Sequence, residues 1–150
     1  MIAPAQIFSI ANTIALLCWL ALALSLFVSR GRVWIQRATG LVVPGFFAVI
    51  YIFCIWWGFA QTPGGGFGSL AEVRALFAND LALDAGWLHY LAFDLFVGTW
   101  IVRQGTLDRM HPLLLLLCLP VTFLVGPIGL LLFLIERSVF SPRRAEGVAT

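Results

Sequence analysis

The sequence contains little charge. Charged residues make up 11% of its 150 positions, whereas soluble domains carry about a quarter. Lysine is absent, so all nine basic residues are arginines, and the net charge of +2 is too small to indicate a nucleic-acid partner. Because 61% of the residues are hydrophobic and the mean hydropathy is +1.00, the composition excludes an ordinary soluble domain and predicts an integral membrane protein.

Cysteine and histidine are also scarce. Cys18, Cys54 and Cys118 lie in three different apolar segments without a CxxC pair, which argues against a redox motif or a disulfide framework. The two histidines, His89 and His111, have no HxxxH or ExxH spacing that would place ligands on one helix face. We therefore predict no metal site, and the sequence identifies no cofactor.

Long windows without charge dominate the rest of the chain. A helix needs about 20 apolar residues to cross the hydrocarbon core of a bilayer. We predict an all-α integral membrane protein, one domain over residues 1–150, built as a four-transmembrane-helix bundle. The predicted spans are about 6–29, 38–60, 84–103 and 111–136.

The second loop is predicted to carry a short amphipathic helix. Its glycine-rich start, residues 62–68, is not followed by the Gly-Lys-Ser/Thr of a phosphate-binding loop. Ser69 and Glu72 have capping-box spacing, which predicts a surface helix at about 70–79, and Asp84 is the expected N-cap of the third span. The expected apolar side of the surface helix consists of Leu70, Val73, Phe77 and Leu81.

Arginine positions bear on orientation. With four straight spans, five arginines fall on the side of the first loop and four on the side of the second loop and the C-terminus. This small excess favours both termini outside. The first span is too long for a signal peptide and nothing like a plastid transit peptide precedes it, so we expect a bacterial inner-membrane protein.

Asp94 is the most informative residue. It lies in the middle of the otherwise uncharged stretch 85–102, where a charge costs about 2.5–3.5 kcal/mol to insert. His89 precedes it by five residues, which places the two side chains about 140° apart around a helix. Asp94 must therefore find a partner on another helix or in water, or serve as a structural bridge. We predict Asp94 and His89 as catalytic candidates.

Other polar and aromatic side chains are predicted to line a pocket below the second loop. Pro120 and Pro127 lie on nearly the same face of the last span, where they would either shape the bundle or open a cavity. The predicted substrate-binding residues are Asn12, Tyr51, Trp57, Trp87, Tyr90, Thr122 and Pro127.

Two motifs resemble a known family. The run Gly86-Trp-Leu-His-Tyr-Leu-Ala-Phe-Asp-Leu-Phe-Val-Gly98 and the later Gly126-Pro127-Ile128-Gly129 are similar to the small four-helix membrane proteins that include the plant neoxanthin synthase, known from abscisic-acid-deficient mutants. The resemblance is strong over residues 84–136 and general over the first two spans. It implies a role in xanthophyll metabolism, in which an epoxide is rearranged to an allene without net redox change.

Three functions follow from these observations. The first is a carotenoid isomerase that uses Asp94 and His89 for proton transfer, with Tyr51 or Asn12 orienting the substrate. The second is a module that binds a carotenoid or another isoprenoid for a partner enzyme. The third, a proton-coupled transporter, is weaker because the four spans show no inverted repeat. The expected partners are the lipid bilayer and an apolar isoprenoid or carotenoid ligand, and a homo-oligomer remains an alternative.

Overall fold

The computed structural model describes residues 3–140, and helices form all the regular secondary structure of that range. The elements are α1 (Pro4–Leu24), α2 (Arg32–Arg37), a π-helical turn (Ala38–Val42), α3 (Val43–Ala60), α4 (Leu70–Leu76), α5 (Asp80–Leu107) and α6 (Pro112–Phe140). Four helices are long and apolar enough to cross a membrane: Pro4–Leu24, Arg32–Ala60, Asp80–Leu107 and Pro112–Phe140. The prediction of an all-α fold with four long apolar helices is confirmed at this level.

Helix α5 is the central element. In its most apolar window 56% of the residues are buried, against 17–33% in the corresponding windows of the other three long helices. Helix α1 runs parallel to α5, because Asn12 bonds Trp87 and Trp19 packs on Gly98 further along both chains. Helix α3 runs antiparallel to α5, and its Gly58 packs against Ala82 near the start of α5.

A π-helical turn interrupts the second long helix at Ala38–Val42. Pro44, the second residue after the turn, has no N–H, so the usual bond to the carbonyl of Gly40 cannot form. Instead the N–H of Val43 donates to the carbonyl of Ala38, one residue further back than in an α-helix. The turn directs the buried Thr39 side chain towards α5, where its hydroxyl accepts a 2.8 Å hydrogen bond from Thr99.

Helix α6 folds back on itself at Val125, whose backbone angles (φ −148°, ψ 67°) are not helical. The Cys118 thiol donates to the Glu136 carboxylate at 3.2 Å, although residues eighteen positions apart in a straight helix lie about 27 Å apart. Gly129 lies directly against the backbone of Thr122. Residues 112–124 and 126–140 are therefore the two antiparallel arms of a helical hairpin, which we call the first and second arm.

The hairpin corrects the prediction of a straight span at 111–136. The second arm returns to the level at which α5 ends, where Arg137 forms an ion pair with Asp108 at 2.6 Å. Pro4 and Phe140, the described ends of α1 and α6, consequently lie at opposite ends of the bundle. The expected topology, with both termini on one side, rests on a single crossing helix at 111–136, because a length-based estimate treats two half-length arms as one such helix.

The second loop also differs in detail from the prediction. The hydroxyl of Ser69 accepts from the N–H of Glu72, while the Glu72 carboxylate accepts from the N–H of Gly68, one residue before the expected capping partner. Leu70, on the expected apolar side of α4, is exposed, and the buried residue of this helix is Leu76, which was not assigned to that side. The N-cap of α5 is Asn79, not Asp84, since the Asn79 side chain accepts from Leu81 and Ala82.

Candidate functional site

At the tip of the α6 hairpin, two backbone carbonyl groups lack the N–H donors that a regular helix would give them. Pro127 has no N–H, so the carbonyl of Phe123 lacks its usual helical donor. The break at Val125 interrupts the helical hydrogen bonding of the Leu124 carbonyl. The hydroxyl of Tyr90 on α5 supplies the missing donor, lying 2.7 Å from the Leu124 carbonyl and 3.2 Å from that of Phe123. This hydroxyl therefore ties the hairpin tip to the middle of α5.

The carboxylate of Asp94 lies directly against the hairpin tip. A Cβ atom added to Gly126 would overlap both oxygens and the carboxyl carbon of Asp94. Only glycine at this position lets the backbone of the tip approach so closely. Tyr90, one helical turn before Asp94, places its hydroxyl on the backbone of the same tip.

Asp94 is buried but incompletely hydrogen-bonded. Its side-chain oxygen Oδ2 is inaccessible and has no hydrogen-bond partner among the described residues. Leaving such a group unpaired costs about 1–3 kcal/mol, and more when it is charged. No arginine pairs with Asp94, since the ion pair of the described chain joins Arg137 to Asp108.

The hairpin reaches along α5 only as far as Asp94. The part of α5 between its first residue, Asp80, and Asp94 is therefore not covered by α6. Four side chains line this uncovered surface, which we call the shelf: Phe8, Asn12, Trp87 and Tyr90. Trp87 stacks on Tyr90 with ring centroids 5.2 Å apart and an angle of 19°, and its indole N–H donates to Asn12 Oδ1 at 3.2 Å. Phe8 also packs on Trp87, with ring centroids 5.5 Å apart and the rings tilted by 35°. The shelf offers flat aromatic faces to an apolar molecule.

On the opposite side of the tip, Trp19 closes the site from α1. Its ring fills the notch left by Gly98 and packs on Phe123 at 5.6 Å. Its indole N–H is buried without a hydrogen-bond partner among the described residues. Asp94 therefore lies between an open aromatic surface above and a closed, tightly packed layer below.

The predicted site residues separate into two groups. Asn12, Trp87, Tyr90 and Asp94 come together around the tip. Pro127 lies on its exposed flank, and Thr122 is buried one turn below it in the first arm, where its hydroxyl donates to the Cys118 carbonyl.

The remaining predicted residues lie elsewhere. His89 is on an exposed face of α5, stacked on Phe93 at 4.5 Å and close to Tyr51 at 6.1 Å. Trp57 is 47% exposed and lines a groove between α1 and α3. None of the contacts described here joins His89, Tyr51 or Trp57 to Asp94, in keeping with the angular separation of His89 and Asp94 expected on one helix.

Three buried polar features were not predicted. Asp84 is buried one turn into α5, with its Oδ2 unpaired among the described residues. Glu136 is buried between the two arms, where it accepts a hydrogen bond from Cys118. The pair of Thr39 and Thr99 depends on the π-helical turn, for which only Pro44 gives a sequence signal. Within residues 3–140, no three histidine, cysteine or acidic side chains converge as metal ligands would.

These features define a small all-helical protein with long apolar helices and a buried carboxylate at a hairpin tip. Residues 6–133 match the model of the ABA DEFICIENT 4-like (ABA4-like) family. The chain belongs to this family, and the match covers the first two helices as well as the motifs around Asp94 and Gly126. Membership relates the chain to abscisic acid and neoxanthin synthesis. Searches of curated proteins and of solved structures gave no significant match.

Proposed function

We propose that the protein is an integral membrane isomerase that rearranges a carotenoid epoxide, with Asp94 as its proton-transfer residue. The observation that carries the proposal is the Asp94 carboxylate, buried at the hairpin tip with one oxygen unpaired and an aromatic surface beside it. Intramembrane carboxylates of this kind commonly take part in function. Family membership supports the substrate class.

The chemistry requires a proton to be given and then recovered. The neutral carboxyl of Asp94 donates its proton to the epoxide oxygen as the adjacent C–O bond breaks, giving a hydroxyl and a carbocation. A neighbouring C–H bond then releases its proton to the carboxylate, and its electron pair forms the new carbon–carbon π bond. Atoms and electrons balance, so the reaction is an isomerisation that needs no oxidant.

The surroundings of Asp94 suit a long apolar substrate. The shelf opens sideways, so a polyene chain can lie on Trp87 and Tyr90 while its oxygenated ring reaches the tip. The Tyr90 hydroxyl donates to the Leu124 carbonyl and so fixes the hairpin tip against which Asp94 lies. In this proposal Tyr90 orients Asp94, and His89 has no role in the reaction because it faces elsewhere.

A matched pair of variants tests the proposal. Asp94→Asn keeps the size of the side chain but removes the transferable proton, so conversion of an epoxy-xanthophyll by reconstituted protein should fall by about 10²–10⁴-fold. Asp84→Asn is the control, because Asp84 is also buried with an unpaired oxygen but lies about 15 Å along the same helix. Full activity of Asp94→Asn, or equal losses in both variants, would contradict the assignment.

A non-enzymatic carotenoid carrier is the second candidate function. A groove of about 1210 Å³ between α1 and α3 is lined almost entirely by apolar side chains and does not include Asp94. A molecule held there would be bound without contact to the carboxylate. If Asp94→Asn and wild type co-purify with equal pigment and neither converts it, the carrier function replaces the isomerase.

A further inference from the structure

Six of the seven arginines among residues 3–140 lie at one end of the bundle. We call this end the arginine face: Arg30, Arg32, Arg37, Arg103, Arg109 and Arg137. We infer that the arginine face binds the anionic lipid headgroups of the cytoplasmic leaflet, with α6 entering and leaving the membrane on that side. The inference rests on the membrane insertion proposed above but not on catalysis.

The hairpin places the end of α6 on the arginine face. Arg32 bonds the carbonyl of Ser25 at 2.8 Å and thereby holds the first loop at the end of α1. The ion pair of Arg137 with Asp108 brings the end of the second arm to the turn between α5 and α6. These two contacts define one end of the bundle, because α1 and α5 run parallel and both end there.

The charge distribution then becomes strongly asymmetric. If α6 were straight, Arg137 would join Arg74 at the opposite end, and the described arginines would divide five to two. With the hairpin only Arg74 remains there, among the acidic side chains Glu72 and Asp80. Arginines near the ends of membrane helices are retained on the cytoplasmic side. The hairpin thus supports an orientation with the first loop and the end of α6 inside and the start of α1 outside.

The arginines of this face are available to lipid headgroups. Within the described range only Arg137 forms an ion pair, while Arg30, Arg103 and Arg109 are exposed. Trp34 is 70% exposed and lies under the Arg37 guanidinium at 5.1 Å. An exposed tryptophan beside an arginine is typical of the interface between hydrocarbon and headgroups. Anionic headgroups attract such residues by about 1 kcal/mol per basic side chain.

Cysteine labelling in spheroplasts tests the orientation. Single cysteines at Ser29, Ala71 and Ser138, all exposed, are introduced after the native cysteines are replaced by alanine. A membrane-impermeant maleimide should label Ala71→Cys in intact spheroplasts, but Ser29→Cys and Ser138→Cys only after permeabilisation. If the cysteine-free protein does not fold, the buried Cys54 and Cys118 are retained.

Each contrary labelling pattern would refute a different part of the inference. Labelling of Ser138→Cys together with Ala71→Cys would show that α6 crosses the membrane and would overturn the hairpin topology. Labelling of Ser29→Cys from outside would overturn the assignment of the arginine face to the cytoplasm. Release of the protein by alkaline carbonate would instead refute membrane insertion itself, and with it the proposed function.

Lipid retention tests the binding partner. Native mass spectrometry of protein from micelles doped equally with phosphatidylglycerol and phosphatidylcholine should show several-fold preference for the anionic lipid. The triple variant Arg30→Gln, Arg37→Gln, Arg103→Gln should lose that preference, whereas Arg74→Gln, at the opposite end, should keep it. Equal retention of both lipids by wild type, or equal losses in both variants, would overturn headgroup binding by this face.

Discussion

The contact between Gly126 and Asp94 yields the sharpest prediction. A Cβ atom added by Gly126→Ala would overlap three atoms of the Asp94 carboxyl group, a short side chain that is itself buried. Overpacking of a well-packed interior typically costs about 1–3 kcal/mol. In a domain of this size each kcal/mol lowers Tm by about 2–4 °C. We therefore expect Gly126→Ala to unfold at a measurably lower temperature in detergent micelles.

A double-mutant cycle assigns the cost to the carboxylate. Asp94→Ala removes the atoms that the new methyl group meets, so Gly126→Ala should be nearly neutral in that background. The coupling between the two substitutions should fall within about 0.5–3 kcal/mol, as for other residues in direct contact. The coupling is measured from thermal melts of the four proteins, in which size-exclusion chromatography after heating gives the folded fraction.

Gly129→Ala provides the matched control within the same hairpin. Its added methyl group would meet the backbone and hydroxyl of Thr122, not Asp94. It should destabilise the protein equally in the wild-type and Asp94→Ala backgrounds. The reasoning fails if Gly126→Ala leaves Tm unchanged, or if Asp94→Ala relieves both glycine substitutions alike.

Two further predictions concern hydrogen bonds. Tyr90→Phe leaves the Leu124 carbonyl without its 2.7 Å donor, so Tm measured in detergent should fall by an amount equivalent to about 1–3 kcal/mol; an unchanged Tm would contradict this role for the hydroxyl. Thr99→Val removes the hydrogen that the Thr39 hydroxyl accepts, although that hydroxyl still donates to Ile35, whereas Thr39→Val with Thr99→Val removes both partners. The double variant should therefore be at least as stable as Thr99→Val. A double variant that is less stable than Thr99→Val would show that the hydrogen bond between the two hydroxyl groups does not contribute to stability.

Much of the fold follows from sequence patterns. Charge-free windows identified the four long helices because apolar length is a direct requirement for burial in hydrocarbon. Ser69 and Glu72 indicated α4 because capping is a local interaction. Asp94 stood out because its charge is expensive in an apolar helix.

The hairpin was not predictable from length or periodicity. Two arms of half the membrane thickness have the same composition as one crossing helix, and a single non-helical residue, Val125, decides between them. The Gly126-Pro127 motif marked the position of a break but not its angle. The angle depends on tertiary contacts, chiefly Gly129 against Thr122 and Cys118 against Glu136.

Site membership was predictable only in part for the same reason. Helical geometry correctly separated His89 from Asp94, but it could not show which other helix would meet each of them. The tip of the hairpin, not a neighbouring straight helix, supplies the contact with Asp94. Consequently Tyr90, on the same helix as Asp94, bonds the tip that lies against the carboxylate, whereas Tyr51 packs near His89.

The returning arm of α6 also gives the molecule a taper. Five helical segments pass through the half of the bundle that ends at the arginine face, but only three continue through the other half. Inserted in a membrane as proposed, the protein would therefore occupy a larger cross-section in one leaflet than in the other. Such a wedge shape would favour membrane curvature. We expect the protein to concentrate where the leaflet that holds its broad end lies on the convex side of the membrane.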